Sequence, residues 1–212
     1  MRVLILGAAG RVPSFLIPML LERTDNDLVL FARRAANRIV NPDTQRVSIV
    51  EGDFGSKSDL LPALQGVEAV YLNEMGDPDS VANVVETLQE SRVNRLIGST
   101  VLGIYHEVQG KFGAWNTAMV GGSLQRYMAA AAMVENSSLN YTLLRLTWLY
   151  DQTGNTSYGL TRKGELFKGA QVTRQAVAQL IMDILTDGTH GFDRASLGVG
   201  EPGTDFDKPS FY

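Results

Sequence analysis

The chain contains no cysteine. That absence excludes disulfides, thiolate nucleophiles and cysteine-based metal centres together. Histidine is nearly as scarce: His106 and His190 are the only two and stand far apart, so no metal site is expected. A basic excess is missing too. The 19 Lys and Arg are outnumbered by 23 Asp and Glu, which leaves a formal charge of -4 and no field for nucleic acid or anionic lipid. No block of like charges occurs, and the densest basic cluster is Arg33, Arg34 and Arg38. Neither an apolar run of membrane-spanning length nor a signal-peptide profile is visible, so a soluble, cytoplasmic protein is the expectation. No internal repeat or low-complexity linker divides the 212 residues, and one domain over 1–212 is expected.

What the chain does have is alternation. Short apolar runs at 3–6 (VLIL), 28–32 (LVLFA), 46–50 (RVSIV), 67–72 (VEAVYL), 94–99 (NRLIGS), 141–146 (YTLLRL) and 194–199 (RASLGV) read as strands. Helical periods lie between them, over 12–21 with Pro18 as an interruption, 56–65, 78–91, 123–136 and from a Thr173 cap to residue 185. Ser56 with Asp59 three residues on, and Asp77 before Pro78, are the clearest helix starts. Continuous apolar strands separated by helices indicate an α/β fold, a doubly wound, mostly parallel sheet covered on both faces. Residues 101–122 and 148–169 show no regular period. They are long for loops in a compact domain, which marks them as lids or substrate walls.

The first strand runs into Gly7-Ala8-Ala9-Gly10-Arg11-Val12-Pro13. Gly7 allows a sharp turn, and Gly10 lets backbone approach a pyrophosphate placed at the following helix N-terminus. A third glycine would normally stand where Pro13 is. That glycine serves helix packing rather than phosphate contact, and proline is tolerated in a first helical turn. The N–H groups of Arg11 and Val12 are therefore expected to hold phosphates. After the second strand an NAD site normally offers Asp or Glu to the ribose. Here Arg33 and Arg34 stand instead, a pair suited to a 2′-phosphate, so NADP is favoured over NAD.

The ordered set GAAGRVP, FARR, VEGDFGSKSDLLPALQGVEAVYLN, RLIGSTVLGIY, YTLLRLTWLY and GAQVTRQAVAQLIMDIL resembles the atypical short-chain dehydrogenase/reductase superfamily. Within it, the resemblance is to the NmrA-like NAD(P)-binding branch, over nearly the whole chain. It implies a Rossmann sheet, with Asp53 bonding the adenine amino group and Phe54 beside the base. It also implies that Asn73 and the two residues after it lie along the central ribose, that Ser99 or Thr100 sits near the nicotinamide, and that Leu146 to Trp148 line that end.

Dehydrogenases of this superfamily carry Tyr-x-x-x-Lys, in which the ammonium lowers the tyrosine pKa. Here Tyr127 is followed four residues later by Ala131. Tyr127 remains able to donate a proton to a carbonyl, with Ser99 beside it. Lys111 or Lys163, on the two long segments, is the candidate for the missing cation. Two functions stay open: an NADP-dependent oxidoreductase acting on a small carbonyl or quinone, its substrate enclosed by His106, Lys111, Trp115 and Tyr158, or a non-catalytic NADP(H)-binding sensor, which Ala131 favours. The alanines at 129–132 fit either packing on the sheet or a homodimer interface. The tail from Gly198 either drapes over the body, anchored by Phe206, Phe211 and Tyr212, or carries no role.

Overall fold

The apolar runs become the strands of one large sheet. In the computed structural model, which describes residues 1–40 and 45–212, the chain runs β1 (Arg2–Leu6), α1 (Pro13–Arg23), β2 (Asp27–Ala32), α2 (Ala35–Arg38), β3 (Val47–Glu51), α3 (Lys57–Ala63), β4 (Ala69–Leu72) and α4 (Pro78–Ser91). It continues through β5 (Arg95–Val101), α5 (Gly110–Glu135), β6 (Asn140–Leu146), β7 (Trp148–Tyr150), β8 (Gly159–Arg162), β9 (Gln171–Thr173), α6 (Arg174–Thr186) and β10 (Ala195–Gly200). Eight strands form the main sheet in the order β3-β2-β1-β4-β5-β6-β10-β8, and β7 pairs with β9 apart from it. All neighbours in the main sheet are parallel except β10 and β8. The order reverses direction between β1 and β4, so a crevice opens there at the carboxyl ends of the strands, where such sheets bind ligands.

Alternation along β1 shows how both faces are filled. Leu4 and Leu6 join the core beneath α3, α4 and α5, while Val3 and Ile5 join the one beneath α1 and α6. Strands buried on both sides must be apolar throughout, which is why they were visible in the sequence. No helix among the described residues is long and apolar enough to cross a membrane.

Several expectations are corrected. The segment 101–122 is irregular only over 102–109: α5 begins at Gly110 and runs 26 residues, well ahead of the expected start at 123. Its glycines read as breakers, but they permit the helix. Gly113 sits so close to the Val108 carbonyl oxygen that a Cβ would lie 2.5 Å from it, while Gly121 and Gly122 have open space around them. The segment 148–169 carries β7 and β8, strands of three and four residues, too short for a period to show. Ser56 makes no side-chain cap; its Oγ meets Ser58, and Asp59 accepts from the Asp53 N–H at 3.0 Å. Asp77 likewise caps no N–H with its side chain. Thr173 does cap α6, its Oγ1 accepting from Ala176 N at 2.9 Å. Pro18 lies inside a continuous α1 rather than breaking it. Of the alanine run, Ala130 and Ala131 are in the core and Ala129 and Ala132 are exposed.

Candidate functional site

The turn after β1 is shaped by Gly7 and Gly10. Gly7 adopts φ +79°, and the N–H groups of Gly7 and Ala8 both donate to Phe31 O at 3.0 Å. Gly10 N closes the turn on Gly7 O at 2.9 Å. Among the described residues, the backbone N–H groups of Ala9, Arg11 and Val12 have no acceptor. Three unpaired donors at the start of α1 form an anion cradle. Gly10 also faces Asn73, which follows β4: a Cβ there would lie 2.5 Å from Asn73 Nδ2. Asn73 is held in turn by Tyr71, whose hydroxyl reaches Asn73 Oδ1 at 3.1 Å and Ser99 Oγ at 2.9 Å.

Arg33 and Arg34 stand at the carboxyl end of β2, both exposed, with Arg34 in the left-handed region at φ 52°. Arg33 Nη1 lies 3.7 Å from Asp53 Oδ2, bringing the ends of β2 and β3 together on one side of the turn. Asp53 Oδ1 accepts from Gly55 N at 3.0 Å, and Phe54 packs at the edge of the core with its carbonyl bonded to Asn83.

On the other side lies a cavity of about 330 Å³, whose lining includes Arg11, Val12, Asn73, Ser99, Thr100, Tyr127 and Leu146. Thr100 is 3% exposed and its Oγ1 has no hydrogen-bond partner. The cavity therefore runs from the anion cradle past two hydroxyls to Tyr127. One lining group, Arg174, carried no sequence signal. Arg174 and Arg11 bond to the two oxygens of Asp151; burial raises that carboxyl's pKa, but the two guanidinia outweigh it and hold the group below its ordinary range.

Glu74, which the resemblance placed only along the central ribose, also lines the cavity. Its Oε1 accepts from Tyr127 Oη at 2.8 Å and from Gly76 N at 2.6 Å. Burial first, then the Glu74 hydrogen bond and charge, push the Tyr127 phenol up to about 12. It is a protonated donor at neutral pH and no base. Glu74→Gln should bring that pKa down without restoring the ordinary value of about 10, because burial is the larger cause. Tyrosinate absorbance titrations of wild type against Tyr127→Phe, and of Glu74→Gln against Glu74→Gln/Tyr127→Phe, give the two pKa values whose difference is the shift; an unmoved titration would mean the carboxylate does not govern the phenol.

Among the described residues no cation hydrogen-bonds Tyr127; the charge of Arg126 acts to lower its pKa but is outweighed by burial and Glu74. Ala131 is 1% exposed, one turn beyond Tyr127 and inside the core. Lys111 pairs with Asp207 at 3.0 Å, and Lys163 pairs with Glu135 at 2.8 Å and lies over the Tyr105 ring. The expectation that either would serve Tyr127 is withdrawn. The expected enclosure also fails in part: His106 is an exposed turn residue at φ 59°, Tyr158 is tied to Asp183 at 2.6 Å, and only Trp115 stands by the cavity wall, against Trp148.

The tail does drape over the body. Thr204 O accepts from Ala170 N at 2.7 Å, Phe211 stacks on Tyr150 at 5.7 Å, and Tyr212 meets Trp115 and Trp148 at 5.1 Å each. Phe206, expected as a third anchor, stacks on no other ring among the described residues and borders a surface pocket beside Phe112 and Phe167. Behind the cavity, Arg145 on β6 is fully buried and pairs with buried Glu107 at 2.7 Å. Its Nη2 reaches the carbonyls of Thr161 and Ser196, and Glu107 accepts from the N–H groups of Gly103 and Tyr105.

A sheet of order 3-2-1-4-5-6 with an anion cradle at its switch point defines a dinucleotide-binding Rossmann protein. The family model described as NAD(P)H-binding matches residues 7–188, and the chain belongs to that family. No curated protein matches the chain. A short-chain dehydrogenase/reductase (wide type) from Veillonella parvula, solved in complex with NADP, is 37% identical over 99% of both chains with a TM-score of 0.95. A Rossmann-fold NAD(P)-binding family protein from Shigella flexneri is 34% identical over 100% of this chain and 98% of that one, with a TM-score of 0.83. An anaerobilin reductase from Escherichia coli, 19% identical over 99% of this chain and 100% of that one with a TM-score of 0.76, shares the fold.

Proposed function

We propose that the protein is an NADP-dependent oxidoreductase that reduces a small carbonyl compound. The observation that carries this reading is the cavity joining the unpaired N–H groups of the glycine turn to Ser99, Thr100 and Tyr127. The residues fit a dinucleotide: a cradle that a side chain at Gly10 would fill, and a buried Thr100 hydroxyl left without a partner. When bound, the dinucleotide supplies the hydride.

The chain's own residues do the rest. The amides of Ala9, Arg11 and Val12 hold the pyrophosphate, Arg33 and Arg34 take the 2′-phosphate, and Leu146 borders the nicotinamide end. Ser99 Oγ orients the carbonyl oxygen, and Tyr127 Oη turns its proton from Glu74 Oε1 to that oxygen, gives it up as hydride arrives, and takes another from solvent. Since the phenol resists ionisation, this arrangement favours carbonyl reduction over alcohol oxidation. NADPH oxidation against a panel of quinones, aldehydes and ketones tests the reading, beside a binding titration. Turnover that Tyr127→Phe removes while affinity stays supports it. The second reading, a non-catalytic NADP(H) sensor, is favoured by Ala131 alone, and tight binding without turnover on any substrate would select it.

Cofactor choice has its own test. Removing two guanidinia from a phosphate loses charge-assisted hydrogen bonds, so Arg33→Ala/Arg34→Ala should weaken NADPH binding about tenfold or more while NADH binding changes little. Equal losses for both cofactors would place the arginines outside phosphate recognition.

A further inference from the structure

Beside the cavity of Tyr127 lies a second chamber of about 180 Å³. The two share Val101, Leu146, Thr147 and Leu149 in their walls, so the inner chamber adjoins the place where the carbonyl would react. No charged residue lines it. Only two lining side chains are polar. One, Thr147, already donates its hydroxyl to Ala170 O at 3.0 Å.

The other is Asn116 on α5, 3% exposed. The indole Nε1 of Trp148 donates to Asn116 Oδ1 at 2.9 Å. An indole N–H can only donate, so this contact settles which end of the amide is oxygen. The NH2 end is thereby fixed, and Nδ2 has no acceptor among the described residues. Nδ2 is not among the buried atoms left without a partner, so it keeps some contact with solvent, and a ligand that accepts from it there gains a hydrogen bond. Trp148 is itself wedged between Trp115 and Tyr212, so the amide is held by a stiff support.

We infer that this chamber is the substrate pocket for a small, uncharged cyclic carbonyl compound bearing a second acceptor, which Asn116 Nδ2 holds. The inference rests on the oxidoreductase reading and sharpens it. A charged substrate would lose its hydration here without compensation. Size sets the other limit: a cavity of roughly 150 Å³ accommodates benzene, so this one takes a single six-membered ring with its substituents. Cyclohexane-1,4-dione is the simplest compound of this class, and cyclohexanone is its partner without the second acceptor.

The test is an NMR titration of both ketones into the protein saturated with NADP⁺, where binding is read without turnover. The dione should bind about tenfold tighter than cyclohexanone, the worth of one well-made hydrogen bond. Asn116→Leu should remove that preference, leaving cyclohexanone and NADP⁺ affinities within about twofold of wild type. Equal affinities for the two ketones in the wild-type protein overturn the assignment, whatever the variant does. A preference that survives in Asn116→Leu overturns the role of Asn116. A protein that fails to bind NADP⁺ at all removes the cofactor reading instead, a separate result from either.

Discussion

Gly10→Val should weaken dinucleotide binding on the order of 100-fold while leaving the fold intact. The smallest side chain already places a Cβ 2.5 Å from Asn73 Nδ2 and 3.1 Å from Gly7 O. Asn73 cannot simply swing away, because Tyr71 holds its Oδ1 and Ser99 holds Tyr71. The branched side chain would displace Asn73 and fill the space over the free amides of Ala9, Arg11 and Val12. Overpacking of this kind costs about 1–3 kcal/mol, and blocking phosphate approach adds to it, so NADPH affinity should fall on the order of 100-fold. The backbone at Gly10 is not in the left-handed region, so valine imposes no conformational strain there. Calorimetric titration with circular dichroism as a fold control checks both halves. An affinity unchanged in a folded variant would mean that the dinucleotide does not lie over this turn.

The second large effect concerns stability. Glu107→Leu should cost about 3–5 kcal/mol, since it leaves the fully buried Arg145 guanidinium without its counter-charge. Arg145 Nε already lacks a partner, and the remaining contacts are to neutral carbonyls. Glu107→Leu/Arg145→Met should recover much of the loss, because an apolar pair of similar volume avoids the desolvation of both charges. Denaturant unfolding of the two single variants and the double gives the coupling. Additive losses would mean that the pair is not the stabilising unit. The recovered double variant should still be impaired as a catalyst, because Glu107 also fixes the N–H groups of Gly103 and Tyr105 next to Leu102 in the chamber wall.

The fold was legible where burial acts on both faces of an element. β1, β2 and β4 announce themselves as apolar runs and β6 as one broken by Thr142 and Arg145, and their boundaries fell within one or two residues. The first half of α5 was not legible, because Gly113, Gly121 and Gly122 carry a breaking propensity that tertiary packing overrides. Helix α2 and strands β7, β8 and β9 span too few residues for any period to emerge.

In the site, local signals survived and distant partnerships did not. Gly7 and Gly10 lie three residues apart and reveal a turn on their own. Glu74 and Tyr127 are 53 residues apart, Arg11 and Asp151 are 140 apart, and neither pair leaves a pattern at either position. Arg145 was a half-signal. An arginine inside YTLLRL is conspicuous among buried neighbours and calls for a counter-charge, but nothing local points to Glu107, 38 residues away.

The two indoles of this chain have been placed, by folding, in one small neighbourhood: Trp115 and Trp148 lie 4.8 Å apart at the chamber, with the terminal tyrosine against both. Intrinsic emission excited at the red edge therefore reports on that corner and on little else of the molecule. A label-free optical trace of melting follows the release of the tail, so its midpoint should fall below the one given by far-ultraviolet dichroism.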